Sequence, residues 1–378
     1  MEICWINWVD LFEVKMKKIM LISSKDNNFY NFRSEMILKL LELKYKVVLV
    51  CPYGKKIDYF TEHGCEFIDL DMDRRGTSIF NDLKLMNNYK KILKSEQPDL
   101  VLTYTAKPSY YASFVCQFLH IPHIINNAGI METGKLLTKL LDFLYKICER
   151  KADCIMFQNS YERDYTEKLL KNKVHYRDIP GSGVNTDAFP YQPYPLTDEV
   201  VTFNYVARVM KSKGIEEFLE CAKFIRKKYP FTKFVIYGDF DDDTYRPIVK
   251  EYIDSDIVEY GGILMDIKPA IAKAHAVIHP SYYEGMTNVV LEHSSSGRPC
   301  IGSNVPGVKD GIDDGKTGFV FEVKNSQSLI ESVEKFLALS HEEKEEMGRQ
   351  AREKMKKEFE RSIVTNIYVE EIKKILGE

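Results

Sequence analysis

The sequence has no run of 18 uninterrupted apolar residues, so a membrane-spanning helix is excluded by length. Its eight cysteines, at 4, 51, 65, 116, 148, 154, 221 and 300, contain no C-x-x-C pair and no framework spacing. Several sit in apolar runs, as Cys51 does in VVLVC, and read as buried reduced thiols of a cytosolic protein. The eight histidines form no H-E-x-x-H and join no Cys motif, so no metal seat is legible. No G-x-G-x-x-G follows a first strand, which argues against a dinucleotide-dependent dehydrogenase. A net charge of only −3 argues against a nucleic-acid partner. With 44% apolar residues, 20 Gly and 14 Pro in 378, the chain is neither a disordered tail nor a fibre.

What is present is a chain long enough for two domains. Charge divides unevenly: Met16–Ser182 carries 26 Lys and Arg against 20 Asp and Glu, a balance of +6, whereas residues from Gly183 onward balance at −7. Residues 1–15, which hold both tryptophans, are open to three readings: an interfacial anchor, a packed segment, or a misassigned start with Met16 the first residue. Short apolar runs then alternate with amphipathic ones. KIMLISS, VVLVCP, CEFIDLD, DLVLTYT, HIIN and CIMFQN read as strands of a first unit. VVTFNYVAR, FTKFVIYG, IVEYGG, AVIHPS, PCIGSN and FVFE read as strands of a second. Nearly all-apolar strands separated by helices imply parallel sheets covered on both faces. The fold class is therefore α/β, two doubly wound domains facing across a cleft, over 16–182 and 183–360. A Gly/Pro-rich connector spans 181–199, and a charged helical tail closes the chain over 361–378.

The segment SYYEGMTNVVLEHSSSGRPCIGSNVPGV (281–308) carries the sharpest chemistry. Glu284 and Gly285 fall where a strand ends and a helix begins, so backbone amides around Met286, Thr287 and Asn288 face an anion. Glu292 follows eight residues later, and two carboxylates beside such a turn suit hydroxyl recognition. The plainer alternative is that Glu284 caps the helix and Glu292 is a surface charge. In VARVMKSKG (206–214), Arg208 ends a strand and Lys213 opens a helix; both face the crevice where ligands bind in open α/β sheets, or else are solvated.

Together these residues resemble the retaining glycosyltransferases of family 4, which have the GT-B fold. Glu284 and Glu292 match the family's E-x7-E element, and Arg208 with Lys213 its Arg…Lys-Gly element. NFYNFR, MDRRG, PDLVLTYTAKP and EGMTNVVLE look like bacterial enzymes that build capsule, O-antigen or lipid-linked glycans. The resemblance implies a UDP-sugar donor, a polyprenyl-diphosphate-linked saccharide acceptor, and front-face transfer without a metal or other cofactor. By it Glu292 holds the ribose, Glu284 the donor sugar, and Arg208 and Lys213 the leaving diphosphate, with Gly285, Met286, Thr287, Asn288 and Gly238 completing the donor site.

Departures from the family pattern carry further expectations. The Gly-rich turn common after the first strand is replaced here by Asn28–Arg33, and Arg33 is a candidate phosphate contact. The usual His after the fifth strand is replaced by NNAGI, leaving Asn126, Asn127 or the Gly129 backbone beside the reacting sugar; Asn127 is the chosen candidate. Lys107, Arg74 and Arg75 are candidate acceptor contacts. His293 is read as an ordinary helix residue. In residues 134–151, Leu137, Leu140, Leu141, Leu144 and Ile147 form one helical face amid basic residues, suited either to the core or to anionic lipid. The location expected is cytoplasmic, peripheral on the inner membrane. Asp239, Asp241, Asp242 and Asp243 read as helix-start acids rather than metal ligands. Rival functions are a sugar-nucleotide epimerase or hydrolase on the same fold, and a non-catalytic sugar-nucleotide binder.

Overall fold

The computed structural model describes residues 16–72, 78–127, 135–171, 174–196 and 200–378, without the side chains of 79 and 135–141. The N-terminal extension, Arg74, Arg75, Gly129 and the Leu137, Leu140 and Leu141 side chains therefore lie outside the described residues.

The apolar runs form strands because both of their faces are covered. Ile19–Ile22 and Val47–Cys51 are fully buried, each large side chain contributing about 1.5–3 kcal/mol by leaving water. The first sheet comprises β1 (Lys18–Ile22), β2 (Lys46–Cys51), β3 (Glu66–Asp69), β4 (Leu100–Thr103), β5 (His123–Asn126), β6 (Cys154–Phe157) and β7 (Tyr176–Asp178), in the order β3-β2-β1-β4-β5-β6-β7. The second comprises β8 (Val201–Val206), β9 (Thr232–Tyr237), β10 (Glu259–Gly262), β11 (Ala276–His279), β12 (Cys300–Ser303) and β13 (Gly318–Phe321), in the order β10-β9-β8-β11-β12-β13. All pairings are parallel.

In each sheet the strand order reverses once, between β1 and β4 and between β8 and β11, leaving a crevice at the strands' carboxyl ends. Arg208 and Lys213 follow β8 and Glu284 follows β11, so the second crevice collects three of the candidate residues. Arg33 and Lys107 follow β1 and β4 at the first.

The chain passes between the sheets twice, and the two passages are bonded to each other. The Val184 amide donates to the Phe359 carbonyl at 2.8 Å, and the Arg361 amide to the Val184 carbonyl at 3.0 Å. The helix Arg361–Leu376 then seats Val364, Tyr368 and Ile372 in the core of the first sheet, among Ile19, Leu21 and Phe29. The seven described cysteines are all free and buried.

Candidate active site

The site is built on two loops that the fold presses together. Gly214 stands at φ +70°, where a side chain is strained, and a Cβ there would overlap the Pro280 carbonyl. Glycine thus lets the loop carrying Lys213 lie against the loop carrying Glu284. Tyr282 N–H donates to the Ser212 carbonyl at 2.9 Å and ties the two.

The consequence is an ion pair. Lys213 Nζ donates to Glu284 Oε1 at 2.6 Å, with side-chain exposures of 16% and 18%. His279, the last residue of β11 and buried, places Nε2 3.1 Å from the same oxygen. Burial alone would raise the Glu284 pKa, but His279 and Lys213 outweigh it and hold the carboxyl down to about 2. Glu284 is therefore ionised, its Oε1 engaged twice and its Oε2 left to accept from a ligand hydroxyl. His279 is a residue that sequence reasoning missed. Its signal was a histidine at a strand's carboxyl end, five residues before Glu284.

The helix Asn288–Ser295 begins without a side-chain cap, since the Thr287 hydroxyl makes no bond to it. Its first amides, from Asn288 onward, have no intrahelical acceptor, an arrangement that seats anions. Among the described residues the Gly285 and Met286 amides likewise have no acceptor. The Thr287 amide, expected to face the anion, instead donates to the Gly307 carbonyl at 3.0 Å. Glu292 is half-buried, and among the described residues its carboxylate has no hydrogen bond or salt bridge. Burial pushes its pKa up to about 7, against the fields of Arg361 and Lys268.

Arg208 lies on the rim, half exposed, with Nη1 2.8 Å from Asp241 Oδ2. An exposed pair of this kind contributes about 1 kcal/mol or less, so the guanidinium is readily exchanged onto a diphosphate. The neighbouring acids are used locally. Asp242 accepts from the Thr244 amide at 3.0 Å, Asp243 pairs with Arg246 at 2.6 Å, and Asp239 accepts from the Phe240 amide at 2.8 Å. Gly238 sits at φ +142° with its would-be Cβ against the Ala207 carbonyl, which brings the end of β9 against the backbone just before Arg208.

The first domain places several of the candidates in packed or paired surroundings. Arg33, proposed for phosphate, is only 4% exposed. Its guanidinium lies 5.1 and 5.5 Å from the ring centroids of Tyr104 and Tyr368, and Nη2 donates to Asn126 Oδ1 at 3.3 Å. Tyr368 donates to the same oxygen at 2.7 Å, so Asn126 and Arg33 anchor the C-terminal helix. Asn127, proposed beside the reacting sugar, is 1% exposed and accepts from Tyr145 OH at 2.9 Å, a packing role. Lys107 is not a free cation: its Nζ lies 2.7 Å from Asp82 Oδ1. His293 is fully buried, bonded to the Val289 carbonyl at 2.8 Å, with its pKa lowered to about 3 by burial.

Sequence reasoning also passed over the first-domain residues that touch this site. Asn159 donates from Nδ2 to the carbonyls of Glu284 at 3.2 Å and Gly285 at 2.8 Å. A Cβ on Gly285 would stand 3.1 Å from Gln158 Oε1 and 3.7 Å from Glu162 Oε1.

Both domains have known relatives. Residues 18–159 match the family described as glycosyl transferase 4-like, and residues 192–354 match glycosyl transferases group 1. The chain is 23% identical over 335 residues to N,N'-diacetylbacillosaminyl-diphospho-undecaprenol alpha-1,3-N-acetylgalactosaminyltransferase of Campylobacter jejuni, covering 84% of this chain and 88% of that protein. It is 25% identical over 311 residues to UDP-Gal:alpha-D-GlcNAc-diphosphoundecaprenol alpha-1,3-galactosyltransferase of Escherichia coli, covering 77% and 79%. Among solved structures, a glycosyltransferase from Rickettsia africae superposes with a TM-score of 0.78 at 17% identity, over 96% of this chain and 99% of that one.

Proposed function

The chain belongs to the GT4-type glycosyltransferases of GT-B fold, and we propose that it moves a hexose-type sugar from a UDP-sugar to a polyprenyl-diphosphate-linked saccharide, with retention of configuration. The observation that carries this reading is the convergence at the β8/β11 crevice of an ionised, doubly held Glu284 with Glu292 and a set of amides that have no partner among the described residues.

Glu292 accepts from the ribose hydroxyls. The amides of Gly285, Met286 and Asn288 meet the diphosphate, and Arg208 and Lys213 compensate the charge that grows on it as the glycosidic bond breaks. Those two cations let the transfer run without a metal. Glu284 Oε2 takes donor-sugar hydroxyls. In keeping with the family resemblance, the acceptor attacks on the front face, without a covalent intermediate. The acceptor proton then passes to the leaving phosphate. A UDP donor is supported by the name of the Escherichia coli relative, and a polyprenyl-linked acceptor by both names.

On the acceptor side, Lys107 lines a cavity of about 300 Å³ with Asp69, Asp71, Asn81, Asp82 and Asn88, a set suited to saccharide hydroxyls. Among the described residues no helix is long and apolar enough to cross a membrane. The adjoining helices Ile79–Glu96, Ser113–Leu119 and Lys135–Cys148 nonetheless expose Phe80, Leu83, Phe118 and Phe143, with Lys90 5.2 Å from the Phe118 ring centroid. This face is proposed to rest on anionic lipid at the cytoplasmic side of the inner membrane, where such an acceptor is presented.

The test begins with thermal unfolding of wild type and Glu292→Ala in UDP, GDP or NAD. UDP at ~100 times its dissociation constant adds about 2.7 kcal/mol, and that stabilisation should largely vanish in Glu292→Ala. A panel of UDP-sugars with polyprenyl-diphosphate saccharides then identifies the transfer, and NMR of the product reads the anomeric configuration. No shift with any nucleotide overturns the reading; donor consumption without acceptor points to a hydrolase or epimerase.

A further inference from the structure

Asn159 occupies an unusual double position. It precedes the helix Ser160–Leu170 with extended backbone, and its Oδ1 accepts from the Glu162 amide at 2.9 Å, capping that helix. The Nδ2 of the same side chain crosses to the second domain and donates to two consecutive carbonyls, Glu284 O and Gly285 O. The side chain is 7% exposed. The two jobs fix the amide's orientation, since only its oxygen can cap and only its nitrogen can donate.

The two carbonyls belong to the peptide units Glu284–Gly285 and Gly285–Met286. In a planar trans peptide the N–H points opposite to the C=O. Drawing both carbonyls toward the first domain therefore turns the Gly285 and Met286 N–H groups away from Asn159, and neither finds an acceptor among the described residues. Gly307 closes the other side of the carbonyl pair: its would-be Cβ would overlap both oxygens, and its own carbonyl takes the Thr287 amide. The turn is thus held from two directions, and only one of them, Asn159, comes from the opposite domain.

We propose that Asn159 is a positioning residue: by bonding the Glu284 and Gly285 carbonyls across the cleft, it aims the Gly285 and Met286 amides at the donor diphosphate when the domains are together. It links domain approach to stabilisation of the leaving group, so the amides are oriented only in the state in which an acceptor can be reached. This rests on the nucleotide-sugar reading above and assigns a first-domain residue to it.

Asn159→Ser and Asn159→Asp separate the two jobs. Serine and aspartate cap a helix about as well as asparagine, so the fold is kept. Serine is too short to cross, and aspartate presents a carboxylate to two carbonyl oxygens. Because the amides act on charge that develops in the transition state, kcat should fall tenfold or more in both variants. The dissociation constant for the unreacted UDP-sugar, measured by calorimetry without acceptor, should change less than threefold. That for UDP, which carries the full leaving-group charge, should rise more, and the melting temperature should stay within a few degrees. If both variants keep wild-type kcat within twofold, the proposal is overturned while the donor site stands. A fall in kcat matched by an equal loss of affinity for the intact UDP-sugar also overturns it, since the amides would then serve ground-state binding. Wild type that neither binds UDP nor uses any UDP-sugar removes the nucleotide reading itself, and this proposal with it.

Discussion

His279 Nε2 and Lys213 Nζ both converge on Oε1 of Glu284, at 3.1 and 2.6 Å, so one carboxylate oxygen is fixed while the other remains open. The imidazole sits at the end of a buried strand and holds Glu284 from the sheet side, whereas the lysine approaches from the adjoining loop.

Removing His279 leaves Glu284 held by one flexible lysine. His279→Ala should lower kcat/KM about 10- to 100-fold, because a hydrogen bond to a charged group contributes about 1.5–3 kcal/mol. Steady-state kinetics with the cognate donor checks this. His279→Gln, which keeps a donor near the same place, should recover part of the loss.

The Glu284 carboxyl, held down to about 2, is ionised throughout the neutral and mildly acidic range. Its folded-state pKa lies below the unfolded value near 4.5, so the stability it contributes is present above about pH 4.5. That contribution is lost as pH falls toward 2. Melting temperature against pH should therefore fall more steeply in this window for wild type than for Glu284→Gln, and the two curves should converge at the acid end.

Glu292 behaves in the opposite sense. Its pKa of about 7 means it is largely protonated at pH 6, while ribose hydroxyls favour the ionised form. UDP binding at pH 6 should thus release a proton that it does not release at pH 8.5. Calorimetry in buffers of different ionisation enthalpy measures this, and Glu292→Gln should remove the difference.

Tyr368 ties the C-terminal helix to the first sheet through Asn126. Tyr368→Phe keeps the ring but loses the bond, and should cost about 1 kcal/mol in urea unfolding. Donor affinity should be unchanged, since Arg33 still holds Asn126.

The order of strands and helices was legible because a strand buried on both faces must be written in consecutive apolar residues, as in Ile19–Ile22 and 276–278. The edge strand Tyr176–Asp178 escaped notice for the same reason: it is not buried, so its sequence carries no apolar run. The positions of Glu284, Arg208 and Lys213 after strand ends, and of Glu292 in the helix that follows, were also legible, since they need only the local strand-to-helix transition to be placed.

Partnership was a different matter. Arg33 reads as a cation at a helix start, and only the return of the C-terminal helix supplies the Tyr368 ring that buries it. Lys107 reads as a free charge until Asp82 is brought to 2.7 Å. Asn159 was passed over, because the carbonyls it holds lie 125 and 126 residues away in the other domain. Residue type and local periodicity determined which groups stand at the crevices. Which of them are neutralised, buried or shared across the cleft was decided by the tertiary fold, because hydrogen bonds and ion pairs act over about 3 Å of space, irrespective of distance along the chain.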